Sequence, residues 1–279
     1  MRPRAIEWIN WVRRQELAAI REWLAERGRR GVKLLEIGGG NGYLANQLAD
    51  MGFEVISIDP KPREPSHFPV QPGISTQLEF SDDSFEVIFS SNVMEHITQI
   101  DMSIQEMKRV LKPGGIMVHA MPTPMNTVFT MLGQPIGYWG GVRFVMKQAA
   151  GLLRKKLRKS RKVIHPSLIQ TQGSSAESTD ISQSVSKANL KRALQLLNPL
   201  RFLLPEPHGA SPSCLEELWD WQPKVWCDRF GKHGLEVKEI KRLPLAYSRH
   251  VLFPFRWEGL RRRLARKGRS SCMAYLIQG

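Results

Sequence analysis

The sequence is poor in cysteine, with three such residues among 279. Cys214, Cys227 and Cys272 are far apart, and no two of them form a C-x-x-C pair. This distribution excludes a disulfide framework. We therefore expect a protein of the reducing cytoplasm.

Long hydrophobic runs are also missing. No stretch of about 18 apolar residues occurs, so the sequence predicts no transmembrane helix. Residues 1–15 are amphipathic and charged and lack the apolar core of a signal peptide. The length allows one large α/β domain with an insertion, or one domain plus a small lobe.

Acidic residues are scarce relative to basic ones. The sequence contains 26 Asp and Glu but 41 Lys and Arg, which gives a net charge of +15. Residues 147–162 hold eight basic residues and no acidic one, and residues 256–269 hold seven basic residues against Glu258. Such segments indicate an anionic partner, such as phospholipid or nucleic acid. The alternative is that these basic residues lie on helix faces that contact only solvent.

One glycine-rich stretch organises the chain. A strand is predicted over residues 32–37, four glycines lie within residues 38–42, and a helix is predicted over residues 43–51. Glycines at a strand-to-helix turn let a ligand approach the backbone, and the helix start offers N–H groups. The stretch therefore predicts a ligand-binding turn.

The spacing of this stretch is E-x-G-x-G-x-G, formed by Glu36, Gly38, Gly40 and Gly42. A dinucleotide fingerprint would need a further glycine at position 43, which is Tyr43. Glu36 lies within the predicted strand, where its carboxylate can accept hydrogen bonds from an amine-bearing ligand. The pattern resembles the first motif of the class I S-adenosylmethionine (SAM) methyltransferases.

Asp59 ends a second predicted strand, residues 53–58, some twenty positions after the glycine turn. A carboxylate at this place suits recognition of ribose, because it accepts hydrogen bonds from both vicinal hydroxyls. A surface aspartate before the Pro60 turn is the alternative.

Two further segments carry the resemblance. Residues 78–97, LEFSDDSFEVIFSSNVMEHI, are similar to the LPFPDxSFDxVxxxxVLEHI stretch of the type 11 group of small-molecule SAM methyltransferases. Residues 106–124, EMKRVLKPGGIMVHAMPTP, are similar to the E-x-x-RVLKPGG-x-hhh-x-x-P pattern of the same group. The three motifs occur in the family's order within residues 32–124.

The resemblance implies SAM as cofactor, held by Glu36, Gly38, Gly40 and Asp59, with Asn92 near its methionine end. Relatives often carry an acidic residue for the adenine amino group where this chain has Ile74. Polar contacts to adenine are therefore expected from Thr76 and Gln77, or from Ser75.

His96 follows a strand predicted over residues 85–91, at the sheet edge where α/β proteins bind ligands. It can act as a general base near neutral pH, and capping of the next helix is the alternative. The run N-x-x-E-H resembles the E-x-x-E-H metal motif of some O-methyltransferases. Because Asn92 replaces the first glutamate, no metal site is predicted.

The resemblance implies a Rossmann-like α/β fold: a seven-stranded, mostly parallel sheet with helices on both faces, an antiparallel last strand and a helical or irregular insertion. Four segments are predicted: a helical cap (1–30), the SAM-binding core (31–124), an insertion with a basic segment and a flexible linker (125–213), and the rest of the core (214–279).

The sequence therefore predicts a SAM-dependent methyltransferase of the cytoplasm. We expect a small or lipid-linked metabolite as the O, N or C acceptor, met at an anionic membrane surface by the basic segments. A nucleic-acid methyltransferase is the less favoured enzyme, because no RNA-binding module is present. A non-catalytic SAM-binding scaffold or regulator is the third possibility.

Overall fold

The computed structural model describes residues 3–25, 27, 31–64, 66–136, 204–249 and 253–279. They belong to two compact units, one made of residues 1–130 and 206–279 and the other of residues 131–205. The basic segment 147–162 and the linker 170–188 lie outside the described residues. The insertion over residues 125–213 therefore stays a prediction.

The first unit contains both helices and strands. They are α1 (Pro3–Ala19), α2 (Arg21–Ala25), β1 (Lys33–Ile37), α3 (Tyr43–Asp50), β2 (Glu54–Asp59), β3 (Gln71–Pro72), β4 (Phe85–Ser91), a 3₁₀ turn (Met94–His96), α4 (Ile100–Val110), β5 (Leu111–Pro122), α5 (which begins at residue 124), α6 (Cys214–Asp220), α7 (Pro223–Lys232), β6 (Glu236–Arg242), α8 (Glu258–Leu264), a π-helical turn (Ala265–Arg269) and β7 (Cys272–Gln278). In the second unit, residues 131–136 are helical. No described helix is long and apolar enough to cross a membrane.

The seven strands form one sheet in the order β3-β2-β1-β4-β5-β7-β6. The first five pair in parallel, and β7 runs antiparallel to both β5 and β6. This arrangement confirms the predicted fold class.

The sequence of the proline-rich connection after β2 predicts a short third strand near residues 67–70, and this position is wrong, because β3 is Gln71–Pro72. The backbone N–H of His67 donates to the carbonyl of Asn41 in the glycine turn at 2.8 Å. The chain is therefore held away from β2 until residue 71.

Apolar residues alternate between the two faces of the sheet, as the two-residue period of a strand requires. On one face of the sheet, Leu35 and Ile88 pack in a hydrophobic core with residues of α4 and α7. On the other face, Leu34 and Val87 pack in a second core with residues of α1, α2 and α3. Helices therefore cover both faces. The N-terminal helices pack on the sheet, since Trp23 is buried there.

Candidate functional site

The glycine turn between β1 and α3 is anchored to the end of β2. The backbone N–H groups of Gly38 and Gly39 both donate to the carbonyl of Ile58, at 2.7 and 3.0 Å. Gly38, Gly40 and Gly42 have φ angles of 77°, 60° and 72°. Glycine adopts these left-handed conformations without steric cost, so the sequence can fold into this turn.

Asp59 lies directly beside the turn at the carboxyl end of β2. Its Oδ2 accepts from the N–H of Gly40 at 3.0 Å, and its Oδ1 accepts from the N–H of Lys61 at 2.8 Å. The carboxylate is half-buried. Because each carboxylate oxygen has a second lone pair, Asp59 can still accept hydrogen bonds from ligand hydroxyls.

Glu36 lies beneath the turn and is 2% exposed. Its Oε2 accepts from the hydroxyl of Ser57 at 2.6 Å. Burial raises the pKa of Glu36 to about 7, although the Ser57 hydrogen bond acts in the opposite direction. Glu36 therefore supports the turn from below, and its contact with a ligand amine stays a prediction.

Gly39 packs onto this buried pair of side chains. A Cβ at Gly39 would lie 1.9 Å from the Oγ of Ser57 and 2.8 Å from the Oε2 of Glu36. The turn can therefore reach its position only because residue 39 has no side chain.

The segment between β2 and β3 crosses the glycine turn. The N–H of Arg63 donates to the carbonyl of Gly40 at 2.8 Å, and a Cβ at Gly40 would lie 2.6 Å from the Arg63 guanidinium. The structure thus places a cation beside the turn. No motif in the sequence singled out this residue.

The residues predicted to contact adenine lie in the tight turn that follows β3. The N–H of Gly73 donates to the backbone carbonyl of Asp59 at 3.2 Å, and the N–H of Gln77 donates to the carbonyl of Ile74 at 3.3 Å. Thr76 is half-buried, whereas Gln77 is exposed. The fold therefore brings this turn to the same sheet edge as Asp59, and the adenine contacts stay predictions.

Asn92 turns the chain away from the end of β4. It has a φ of 54°, and its N–H donates to the carbonyl of Ala120 at 2.7 Å. Its Oδ1 accepts from the thiol of Cys272 at 3.4 Å. A short polar side chain tolerates this left-handed conformation, so asparagine suits the position.

A chain of polar side chains joins α1 to this edge. Arg13 pairs with Glu16 at 2.7 Å, and the hydroxyl of Tyr247 donates to Glu16 at 2.7 Å. The Tyr247 hydroxyl also lies 3.0 Å from the Sγ of Cys272, which contacts Asn92. The N-terminal helix therefore contributes to the candidate site.

His96 lies one turn beyond Asn92, and its side chain is 45% exposed. Its Nε2 is 3.8 Å from the Oε1 of Glu95, and its ring centroid is 4.6 Å from that of His208. Burial, together with nearby Arg13 and Arg249, lowers the pKa of His96. The imidazole is therefore neutral near pH 7 and able to accept a proton.

Sequence reasoning missed the residues that surround His96. The N–H of His208 donates to Glu217, and Glu217 accepts from Arg249 at 3.1 and 3.2 Å and from the hydroxyl of Thr127 at 2.8 Å. Burial lowers the pKa of His208 to about 3. No local motif marks these residues, because only the fold brings them together.

The residues at the glycine turn fit SAM. Asp59 has free lone pairs that suit the ribose hydroxyls, and among the described residues no side chain caps the start of α3, where backbone N–H groups can meet a carboxylate. The turn itself leaves no room for side chains at Gly39 and Gly40. These observations match the cofactor that the sequence predicts.

Solved structures of SAM-dependent methyltransferases resemble this chain at low sequence identity. One from Mesorhizobium loti is 11% identical, with a TM-score of 0.47 over 94% of this chain and 98% of its own. One from Aquifex aeolicus is 19% identical, with a TM-score of 0.32 over 37% of this chain and 64% of its own.

Curated relatives are similar over part of their length. An uncharacterized methyltransferase of Mycobacterium marinum is 34% identical over 157 residues, which are 52% of this chain and 56% of the relative. One of Mycobacterium tuberculosis is 35% identical over 156 residues, which are 52% and 57% of the two chains. This chain thus spans about half the length of the curated relatives it matches. The family described as a methyltransferase domain matches residues 10–198, which is more than half of the sequence, so the chain belongs to that family.

Proposed function

We propose that this protein is a SAM-dependent methyltransferase that acts on a small or lipid-linked metabolite, at an oxygen, nitrogen or carbon atom. The observation that carries the proposal is the carboxylate of Asp59 held against Gly40 at the end of β2. This contact joins the predicted ribose acceptor to the glycine turn, in a chain of the methyltransferase family.

The chain's own residues position the reactants. When bound, SAM supplies a methyl group on a sulfonium leaving group. Asp59 would accept from the ribose hydroxyls, the glycine turn would admit the ligand to the backbone, and Asn92 would hold the methionine end. Holding the two reactants in line supplies much of the acceleration, because a bimolecular step becomes effectively unimolecular.

His96 removes a proton from a hydroxyl or phenol acceptor. Its side chain is partly exposed at the carboxyl edge of β4, and its lowered pKa keeps it in the basic form at neutral pH. A positioned base of this kind contributes roughly 10²- to 10⁴-fold to the rate.

The Asp59→Asn variant should bind SAM roughly 10- to 100-fold more weakly than the wild type. One charge-assisted contact to a ligand hydroxyl is worth about 1.5–3 kcal/mol, and the amide oxygen can still accept from Gly40. Calorimetric titration with SAM and with its demethylated product measures the change. Asp50→Asn, on the exposed surface of α3, is the control and should bind normally. No binding by folded wild-type protein would refute the proposed function.

The acceptor class separates the three functions predicted from the sequence. Methyl transfer from labelled SAM to a cell extract is followed by separation into lipid, small-molecule, RNA and protein fractions. Label in the lipid or small-molecule fraction supports the proposal. Label in RNA indicates the nucleic-acid enzyme, and binding without any labelled product indicates a scaffold.

A lipid-linked acceptor is supported by a surface that we call the aromatic–basic patch. It consists of exposed apolar side chains beside exposed basic ones: Phe253, Phe255, Trp257, Leu260, Arg263, Arg266, Lys267 and Arg269. Aromatic rings next to cations suit the interface of an anionic membrane.

The patch is anchored to the helix that reaches the candidate site. Trp8 of α1 contacts the ring of Phe255 at 5.4 Å between centroids, and the Arg261 guanidinium lies 4.9 Å from the Trp8 ring. Arg13 follows on the same helix about 7.5 Å further along its axis. A membrane bound at the patch would therefore lie close to Arg13 and to the neighbouring His96. We call this region around His96 the acceptor side of the site.

Flotation with anionic liposomes at low salt tests this surface. We expect wild-type protein to float with the liposomes. The liposome-bound fraction of the Phe253→Ser, Trp257→Ser double variant should be at least about fivefold smaller, because interfacial aromatic area is lost. Trp219→Ser is the matched control, since Trp219 is 71% exposed and lies on α6 outside the patch. Failure of wild-type protein to float, or an equal loss in the control, would contradict the proposed membrane contact.

A further inference from the structure

Glu95 is a carboxyl group buried just beyond β4. Its side chain lies at the carboxyl end of β4 and is 4% exposed as a residue. Within the part of the chain that the structure describes, neither Oε1 nor Oε2 has a hydrogen-bond partner. A buried carboxylate in this state costs several kcal/mol unless a cation or a donor meets it.

Two histidines lie beside this carboxyl group. The ligand atoms of Glu95, His96 and His208 are all within 4.8 Å of one another. His96 is exposed and His208 is half-buried, so the cluster opens to solvent on the side of the histidines. The three residues offer one oxygen and two nitrogen ligands around a common point.

The segment that carries His208 packs directly against the backbone of Glu95. The N–H of Ala210 donates to the backbone carbonyl of Glu95 at 2.8 Å. A Cβ at Gly209 would lie 2.3 Å from that same carbonyl oxygen, and Gly209 has a φ of 154°. Only glycine allows this close approach, so His208 is placed by a backbone constraint rather than by a chance surface contact.

The charges around the cluster already neutralise one another. Arg13 is paired with Glu16 at 2.7 Å, and Arg249 is paired with Glu217 at 3.1 Å. Neither arginine donates a hydrogen bond to Glu95. Neither arginine therefore compensates a negative charge on Glu95, which a bound cation would do.

We propose that Glu95, His96 and His208 bind a divalent transition-metal ion of the zinc class. Two imidazoles and one carboxylate are the ligands of open Zn²⁺ sites, which keep one position for a further ligand. Ligand atoms about 2.1 Å from a tetrahedral ion are roughly 3.4 Å apart, so distances of up to 4.8 Å in the cluster need to shorten by at most about 1.4 Å. The N-x-x-E-H run did not predict this site, because His208 is 113 positions away from Glu95.

The metal would face the acceptor side of the proposed enzyme. Its open position suits an oxygen-bearing acceptor, and a bound cation lowers the pKa of such a hydroxyl. His96 is then a metal ligand in the loaded protein and a proton acceptor in the metal-free one.

Metal binding to the full-length protein tests the inference without SAM or acceptor. After treatment with a chelator, the protein is titrated with Zn²⁺ by calorimetry and with Co²⁺ by visible absorption. We expect one ion per chain, and a loss of affinity of at least about tenfold in both Glu95→Gln and His208→Ala. His233→Ala is the matched control, because His233 pairs with Asp101 at 3.0 Å outside the cluster. Its affinity should not change.

Several results would overturn the inference: no stoichiometric binding to wild-type protein, unchanged affinity in both cluster variants, or a thiolate-to-cobalt absorption band, which would place the ion on a cysteine. Thermal unfolding of each variant establishes that it is folded. SAM titration of the same samples separates the outcomes, because loss of the metal site leaves the Asp59 contact and SAM binding intact.

Discussion

Replacing Gly39 with alanine is expected to destabilise the protein by about 2–3 kcal/mol and to abolish measurable SAM binding. The new Cβ would lie 1.9 Å from the Oγ of Ser57, which is 1% exposed and is held by its hydrogen bond to Glu36. The glycine turn would have to move, and its hydrogen bonds to Ile58 and Asp59 move with it. Chemical unfolding and calorimetric SAM titration measure the two losses.

Two variants identify the cause of this effect. Adding Ser57→Ala to Gly39→Ala removes the clashing oxygen and should recover part of the lost stability. Gly231→Ala is the control, because a Cβ at this position in α7 meets no atom within 4 Å. It should be neutral or stabilising by up to about 1 kcal/mol. Unchanged stability in Gly39→Ala would mean that the turn does not rest on Ser57 and Glu36.

The Glu36→Gln variant is expected to be more stable than the wild type at pH 8, by about 3–3.5 kcal/mol, and nearly equally stable near pH 4.5. The pKa of Glu36 is about 7 in the folded protein, against an ordinary value of 4.5. Between these values the folded state holds a proton that the unfolded chain has released. Stability therefore falls as the pH rises from 4.5 to 7, and the penalty is complete above 7. Each pKa unit is worth about 1.4 kcal/mol.

The Glu36→Gln substitution removes the dependence of stability on pH, because glutamine stays neutral. Its amide oxygen can still accept a hydrogen bond from the hydroxyl of Ser57. Urea unfolding of both proteins at pH 4.5, 6 and 8 follows the difference. Glu54→Gln, exposed on β2, is the control and should change stability by less than about 0.5 kcal/mol at pH 8. A difference between Glu36→Gln and wild type that does not vary with pH would show that Glu36 ionises normally.

The sequence predicted the sheet, the glycine turn and the position of Asp59, because each of them is marked by residues that are close together in the chain. Short apolar runs mark β1 and β4, the glycine spacing marks the turn, and Asp59 ends the second apolar run. The antiparallel last strand came from the resemblance, and the pairing of β7 with β5 and β6 confirms it. The error at β3 arose because the hydrogen bond from His67 to Asn41 is a tertiary contact.

The acceptor side could not be predicted in the same way. His208, Glu217 and Arg249 lie more than 100 positions beyond Glu95 and occur in segments without a recognisable motif. Glu36 illustrates a different limit, since its position within a strand gave no sign of the bond with Ser57 across to β2. Long-range packing decides both features, and no pattern within a single segment records it.

The position of β7 has a consequence for the synthesis of this protein. β5 is an interior strand only because β7 pairs with it, and Pro122 pairs with Cys272, which leaves the ribosome 150 residues later. Until then, the nascent chain exposes the unpaired backbone and the apolar side chains of β5, including Met117 and Val118. Such an open edge invites pairing with other chains, and contacts over so long a separation form slowly. The edge of β5 is therefore a place where the newly made protein is prone to aggregate.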